Sequence, residues 1–211
     1  MKYFITGIGT DVGKSWATGF LANKFIDEGK RVITQKFIQT GNVGRSEDIE
    51  VHRKIMGIPP TEEDLSKLTA PEIFTYPCSP DLASRIDGRD IDFSKIEAAT
   101  AELERRYEVV LIEGAGGIMV PLRDDYLTID YLHDKQIPTF VVINGQLGSI
   151  NHTLLTLEAI RQRGISLAGV VYNHYFDKDS TICNDTIAYI RRYMKKYFPN
   201  APLIEMPQEF Q

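Results

Sequence analysis

The stretch Gly7-Ile8-Gly9-Thr10-Asp11-Val12-Gly13-Lys14-Ser15 constrains this chain more than any other. It lies between an apolar run over 2–6 that reads as a strand and an amphipathic run over 14–28 that reads as a helix. Ala17, Phe20, Leu21 and Phe25 share one face of that helix, and Gly29 is its stop. A glycine-rich turn between strand and helix exposes backbone N–H groups, and the helix N-terminus adds the positive end of its dipole. In such a cradle Lys14 reaches β- and γ-phosphates and the Ser15 hydroxyl ligates Mg²⁺. Five residues separate Gly7 from Gly13, one more than in the Walker A pattern.

The rest of the chain alternates in the same way. Short apolar runs at 31–37, Val109 to Ile112, Thr139 to Ile143 and Leu167 to Tyr172 read as strands. The runs Val109 to Ile112 and Thr139 to Ile143 carry no polar face, as strands buried on both sides do. Between them, helices are expected from Glu47 to Met56, from a Ser94-Lys95-Ile96-Glu97 capping box to about Arg106, from about Ile150 to Arg163, and over 181–197. Residues 58–93, with Pro59, Pro60, Pro71, Pro77 and Pro80, are the least regular part. Strands alternating with helices indicate an α/β fold, a single domain over 1–211 with a mostly parallel, doubly wound sheet and helices on both faces.

Composition removes several alternatives. Lys+Arg 24 against Asp+Glu 29 leaves a net charge of −5, which argues against nucleic acid as a partner. The basic residues Arg191, Arg192, Lys195 and Lys196 are spaced as a solvated helix face. Cys78 and Cys183 form no C-x-x-C pair, so neither a disulfide scaffold nor a thiolate zinc site is expected. His52, His133, His152 and His174 show no metal-ligand spacing. No apolar run approaches the ~20 residues of a membrane span, and the N-terminal one is too short for a secretory signal. A cytoplasmic protein is expected.

Three further residues draw attention. Glu113 directly follows a buried strand and precedes Gly114-Ala115-Gly116-Gly117, so a carboxylate stands where open α/β sheets bind ligands. Lys36 ends the second strand with Thr40-Gly41 just beyond, and Asp48 sits in the first turn of a short helix. Taken alone, Lys36 is an ordinary solvated charge and Asp48 a carboxylate favoured by the helix dipole.

Together these segments resemble the dethiobiotin synthetase family. Its signature runs G-T-[DNG]-T-x-x-G-K-[ST], K-P-x-x-[ST]-G, an acidic residue, E-G-A-G-G-x-x-[VT]-P and G-x-x-N-H. Here stand Gly7 to Ser15, Lys36 to Gly41, Asp48, Glu113 to Pro121, and Gly148-Ser149-Ile150-Asn151-His152, in that order. The five-residue loop spacing is also the family's. The resemblance implies a homodimeric enzyme that converts 7,8-diaminononanoate, CO₂ and MgATP into dethiobiotin, ADP and phosphate. It assigns catalysis to Thr10, Lys14 and Lys36, and Mg²⁺ binding to Ser15, Asp48 and Glu113. Nucleotide contacts fall to Gly9, Thr10, Asp11, Val12, Gly13, Lys14, Ser15, Trp16, Glu113, Gly116, Asn173 and Pro207. Substrate contacts fall to Thr10, Lys36, Thr40, Gly117, Leu147, Gly148 and Asn151. The N–H groups of the helix opened by Gly148 to Asn151 are expected to bind the substrate's distant carboxylate from the other subunit.

Two features depart from the signature. Phe37 replaces the family proline, which removes one fixed φ angle from the loop carrying Lys36 and Thr40. Only Gln208, Glu209, Phe210 and Gln211 follow Pro207, so ATP is expected to be preferred only modestly over GTP or CTP. The rival class is an ATPase switch or nucleotide-binding regulator without synthetase turnover. Such switches carry an extra lysine early in the loop, and Gly7-Ile8-Gly9 offers none. Ile143-Asn144-Gly145-Gln146 is not the Asn-Lys-x-Asp guanine motif, and there is no room for a glutaminase domain.

Overall fold

The computed structural model describes residues 1–208; Glu209, Phe210 and Gln211 lie outside the described residues. In chain order, β1 (Lys2–Gly7) leads through the glycine loop into α1 (Lys14–Asp27), followed by β2 (Val32–Lys36). Next come β3 (Gln39–Thr40), α2 (Glu47–Met56), α3 (Glu62–Leu65), β4 (Ile73–Phe74) and α4 (Pro80–Ile86). The long elements resume with α5 (Phe93–Arg106) and β5 (Val109–Gly117), then the small antiparallel pair β6 (Pro121–Arg123) and β7 (Tyr126–Leu127). The chain continues through α6 (Thr128–Lys135), β8 (Thr139–Asn144), α7 (Ser149–Gln162), β9 (Leu167–Asn173), α8 (Ser180–Tyr197) and β10 (Leu203–Met206).

Six strands form one parallel sheet in the order β10-β9-β8-β1-β5-β2. Alternate residues of each strand serve opposite faces, as the two-residue period of a strand requires. Phe4, Val110, Ile112, Val141 and Ile143 pack with Ile96, Leu132, Leu157 and Ile190 of α5 to α8. Ile5, Val109, Leu111 and Val142 pack with Ala17, Leu21 and Ala22 of α1. Burying each such Ile or Leu contributes about 1.5–3 kcal/mol. The sheet is therefore sandwiched, which leaves the carboxyl ends of its strands open to a ligand.

Local chemistry sets the element ends. Ser46 accepts the Ile49 N–H and starts α2, and Gly57 closes it with φ 68°. The expected capping box at Ser94 is corrected: Asp92 caps α5 by accepting the Lys95 N–H at 3.0 Å. The Ser94 hydroxyl itself donates to Asp92, because the ionised carboxylate is the better acceptor. β5 continues through Gly117 beside β1, and a Cβ on Gly114 would lie 2.6 Å from the Phe4 ring. Within 58–93 the short elements α3, β4 and α4 were not legible, since two to seven residues carry too little periodicity.

Candidate active site

The loop between β1 and α1 opens a cleft of about 660 Å³ at the carboxyl edge of the sheet. Gly13 takes φ 87°, a left-handed conformation natural to glycine, and stands as the N-cap of α1 without any side-chain cap. The first N–H groups of α1 therefore have no side-chain acceptor. Lys14 folds back so that its ammonium donates to the Gly9 carbonyl at 3.0 Å. Burial pulls the Lys14 ammonium below its ordinary pKa, against the opposing pull of Glu113.

Strand pairing brings the next groups together. Lys36, at the end of β2, and Glu113, midway along β5, are register partners, so both side chains leave the sheet on one face. The Lys36 ammonium donates to Glu113 Oε1 at 2.9 Å and pairs with Asp48 Oδ2 at 2.6 Å. Ser15 Oγ lies 2.7 Å from Asp48 Oδ1 and 3.0 Å from Glu113 Oε1. Burial opposes ionisation of Glu113, but the Lys36 charge and the His52 hydrogen bond outweigh it and hold the carboxyl far below the usual range. Lys36 responds in kind: burial disfavours its charge, yet Glu113 and Asp48 raise its pKa overall. Two buried ions thus exist because they are paired.

The donor set suits a hard divalent cation. One hydroxyl and two carboxylates converge, and the single Ser15 proton serves only one of its two oxygen neighbours at a time. Among the described residues no three His, Cys, Asp or Glu side chains are grouped to hold an ion alone. Mg²⁺ does not require that, since it keeps waters and phosphate oxygens in its shell.

Of the residues singled out from the sequence, Thr10, Asp11, Gly13, Lys14, Ser15, Trp16, Lys36, Thr40, Asp48, Glu113 and Gly116 line the cleft. Gly9 supplies the carbonyl that holds Lys14, and Gly117 packs against the backbone of Gly7 and Gly9. Asn173 is fully buried: its Nδ2 donates to the Val12 carbonyl and its Oδ1 accepts the Tyr175 N–H, both at 3.1 Å. It braces the loop against the end of β9. Pro207 is exposed just after β10. Leu147, Gly148 and Asn151 do not line this cleft; Leu147 is 89% exposed beside the start of α7.

Phe37 compensates for the missing proline by means a proline lacks. Its N–H donates to the Glu113 carbonyl at 2.8 Å, and its ring packs on Phe4 and Tyr131 with centroids 5.4 and 4.7 Å away. Three residues were missed from sequence. Tyr175 and Phe176 line the cleft from the turn after β9, and His52 is buried against Glu113 with Nε2 2.6 Å from Oε2. The spacing of His52 from Asp48, four residues on one helix, was the available signal.

Comparison with known proteins gives a consistent result. A family model described as an AAA domain matches residues 1–203. The chain is 50% identical over 198 residues to the ATP-dependent dethiobiotin synthetase BioD 2 of Pasteurella multocida, covering 94% of this chain and 93% of that protein. It is 47% identical over 203 residues to the ATP-dependent dethiobiotin synthetase BioD of Chlorobaculum tepidum, covering 96% and 85%. Solved structures agree at the level of fold. A putative plasmid partition protein from Borrelia burgdorferi bound to AMPPNP superposes with TM-score 0.56 at 11% identity, over 100% of this chain and 88% of that one. The MinC:MinD cell division complex of Aquifex aeolicus gives 0.55 at 15% identity, over 98% and 81%. With a phosphate loop of the family's spacing and relatives this similar over nearly the whole length, the chain belongs to the ATP-dependent dethiobiotin synthetase family.

Proposed function

We propose that this chain joins CO₂ to 7,8-diaminononanoate at the expense of ATP, forming the cyclic urea of dethiobiotin with ADP and phosphate as co-products. The observation that carries this reading is the group formed by buried Lys36 and Glu113 with half-buried Asp48 and Ser15, set directly beside Lys14 and the glycine loop. A hydrolytic switch needs only the loop and a metal site. A synthetase also needs a cation that holds a second anion near the γ-phosphate, and Lys36 fills that role.

One amine of the substrate adds to CO₂ and loses a proton, giving a carbamate. A carbamate oxygen attacks the γ-phosphorus and ADP leaves, giving a carbamic–phosphoric anhydride. The second amine attacks the carbonyl carbon, loses its proton, and phosphate leaves as the ring closes. Lys36, Thr10 and Thr40 hold the diamine and its carbamate. Lys14 trades the Gly9 carbonyl for phosphate oxygens, since phosphoryl transfer is mainly positioning and charge neutralisation. Ser15, Asp48 and Glu113 would hold Mg²⁺, which supplies charge neutralisation on the triphosphate. Pro207, just after β10, flanks the base, and Asn173, at the end of β9, reaches it by exchanging its bonds to Val12 and Tyr175. The Leu147 to Asn151 segment completes the site of a second copy, so the working unit is a homodimer, in the cytoplasm with other biosynthetic enzymes.

The test mixes protein, MgATP, bicarbonate and diamine and seeks the cyclic urea by mass. Phosphate release that requires both diamine and bicarbonate, with the urea formed in step, supports the proposal. ATP hydrolysis at the same rate without them, and no urea, overturns it in favour of a switch.

A further inference from the structure

His52 is fully buried on α2, one helical turn beyond Asp48. Its Nε2 lies 2.6 Å from Glu113 Oε2 and its Nδ1 lies 3.0 Å from Thr34 Oγ1. An ionised carboxylate has no proton to give, so Nε2 is the donor whether the ring is neutral or charged. The far side of the ring favours the same tautomer. Arg53 Nη1 donates to Thr34 Oγ1 at 2.8 Å, which leaves the threonine proton to point at Nδ1. Arg53 is in turn held by Asp64, with Nε to Oδ2 at 2.8 Å and Nη2 to Oδ1 at 2.7 Å. A continuous file of hydrogen bonds runs from Asp64 through Arg53, Thr34 and His52 to Glu113.

The file divides the two oxygens of Glu113. Oε2 is bound to His52, while Oε1 alone meets Ser15 and Lys36. A carboxylate free to rotate would exchange its oxygens or turn both toward Lys36. We propose that His52 is a positioning residue that locks the Glu113 carboxylate so that only Oε1 faces the cleft. The inference rests on the reading of Glu113 as a ligand of the nucleotide-bound Mg²⁺, and it extends that reading to a residue outside every recognised motif. Removing the imidazole N–H would strand Oε2 in a buried site without a donor, and outer partners of this kind typically change metal affinity by about 10- to 100-fold.

Two polar substitutions separate positioning from packing. In His52→Gln the side-chain N–H reaches about as far as Nε2, whereas in His52→Asn it reaches only as far as Nδ1. Calorimetric titration of ADP with and without Mg²⁺ measures how far the metal tightens binding. The expected result is that His52→Asn loses about 10- to 100-fold of that tightening with Mg²⁺-free affinity intact, and that His52→Gln recovers most of it. Thr34→Val, which removes the proton aimed at Nδ1, is expected to lose less in the same direction. Equal behaviour of the Asn and Gln variants, tracking their melting temperatures, would overturn the inference. So would an Asn variant with undiminished Mg²⁺ linkage. Glu113→Gln is the control: if it matches the unaltered protein, the metal reading itself fails and His52 falls with it. If it differs while His52→Asn does not, only His52 fails.

Discussion

Around the cleft, Lys36, Asp48, Glu113, Ser15 and His52 satisfy one another within a single chain. The segment from Gly145 to Asn151 is built differently. Apart from the Gly145 carbonyl, which accepts from the Cys183 thiol, its polar bonds given by the structure are short-range, from Asn144 to Gln146 and from Ser149 to Gln146, and Leu147 stands 89% exposed at its tip. Just inside it, Ser149 Oγ and Thr153 Oγ1 are buried without a hydrogen-bond partner among the described residues. The first region is held by contacts within its own chain, which suits the proposed phosphoryl-transfer site, because reorganising charges during such a reaction would raise its barrier. The second carries apolar surface and helix N–H groups that its own chain does not cover. The difference fits the division of labour proposed above, with the triphosphate held within one chain and the substrate carboxylate reached by a second copy.

That contrast can be broken most sharply at Lys14. Lys14→Ala removes the cation nearest the loop carbonyl, and dethiobiotin formation is expected to fall by about 10²- to 10³-fold. Near-normal kcat in that variant would show that the organised region is not the phosphate site. Glu113→Gln comes next. It keeps the shape and halves the carboxylate charge of the cluster, so the Mg²⁺ concentration for half-maximal turnover should rise by about tenfold or more. An unchanged Mg²⁺ titration would remove Glu113 from the ligand set.

The brace behind the cluster is tested through stability. Burial disfavours the Asp64 carboxylate, but its hydrogen bonds from Arg53 overcome this and hold its pKa below the ordinary value. A carboxyl depressed in the folded state stabilises the fold above its unfolded pKa and loses that contribution as pH falls through the folded value. Asp64→Asn should therefore cost about 2 kcal/mol near neutrality, with the gap to the unaltered protein closing below about pH 4. A gap that stays constant down to acid pH would show that Arg53 gains nothing from the carboxylate charge. The smallest effect belongs to the open region. Leu147→Asp is expected to raise KM for the diamine by roughly tenfold while leaving Mg²⁺-dependent ADP binding alone. Light scattering during size exclusion should show a dimer, and a fully active monomer would end the proposed division between the two regions.

What could be read before the fold was known depended on distance along the chain. Gly7 to Ser15 declares a strand end, a phosphate loop and a helix start within nine residues, because backbone geometry and capping are local properties. The parallel sheet followed from the order of apolar runs. Asp48 and Lys36 were ordinary on their own, since nothing local distinguishes a solvated lysine from one that will face a carboxylate. Their meaning came from the register of β2 against β5 and the docking of α2 over both.

Only the tertiary structure decided the role of His52 and the fate of Phe37. His52 meets a glutamate 61 positions away, and Phe37 takes its place among rings from β1, α5 and α6. Sequence alone determined the fold class, the anion cradle and the family, because those rest on hydrophobic period, glycine placement and motif spacing. It left open which buried ions pair, because an ion pair is settled by packing, where the cost of desolvating each charge must be met by a partner that the chain brings from elsewhere.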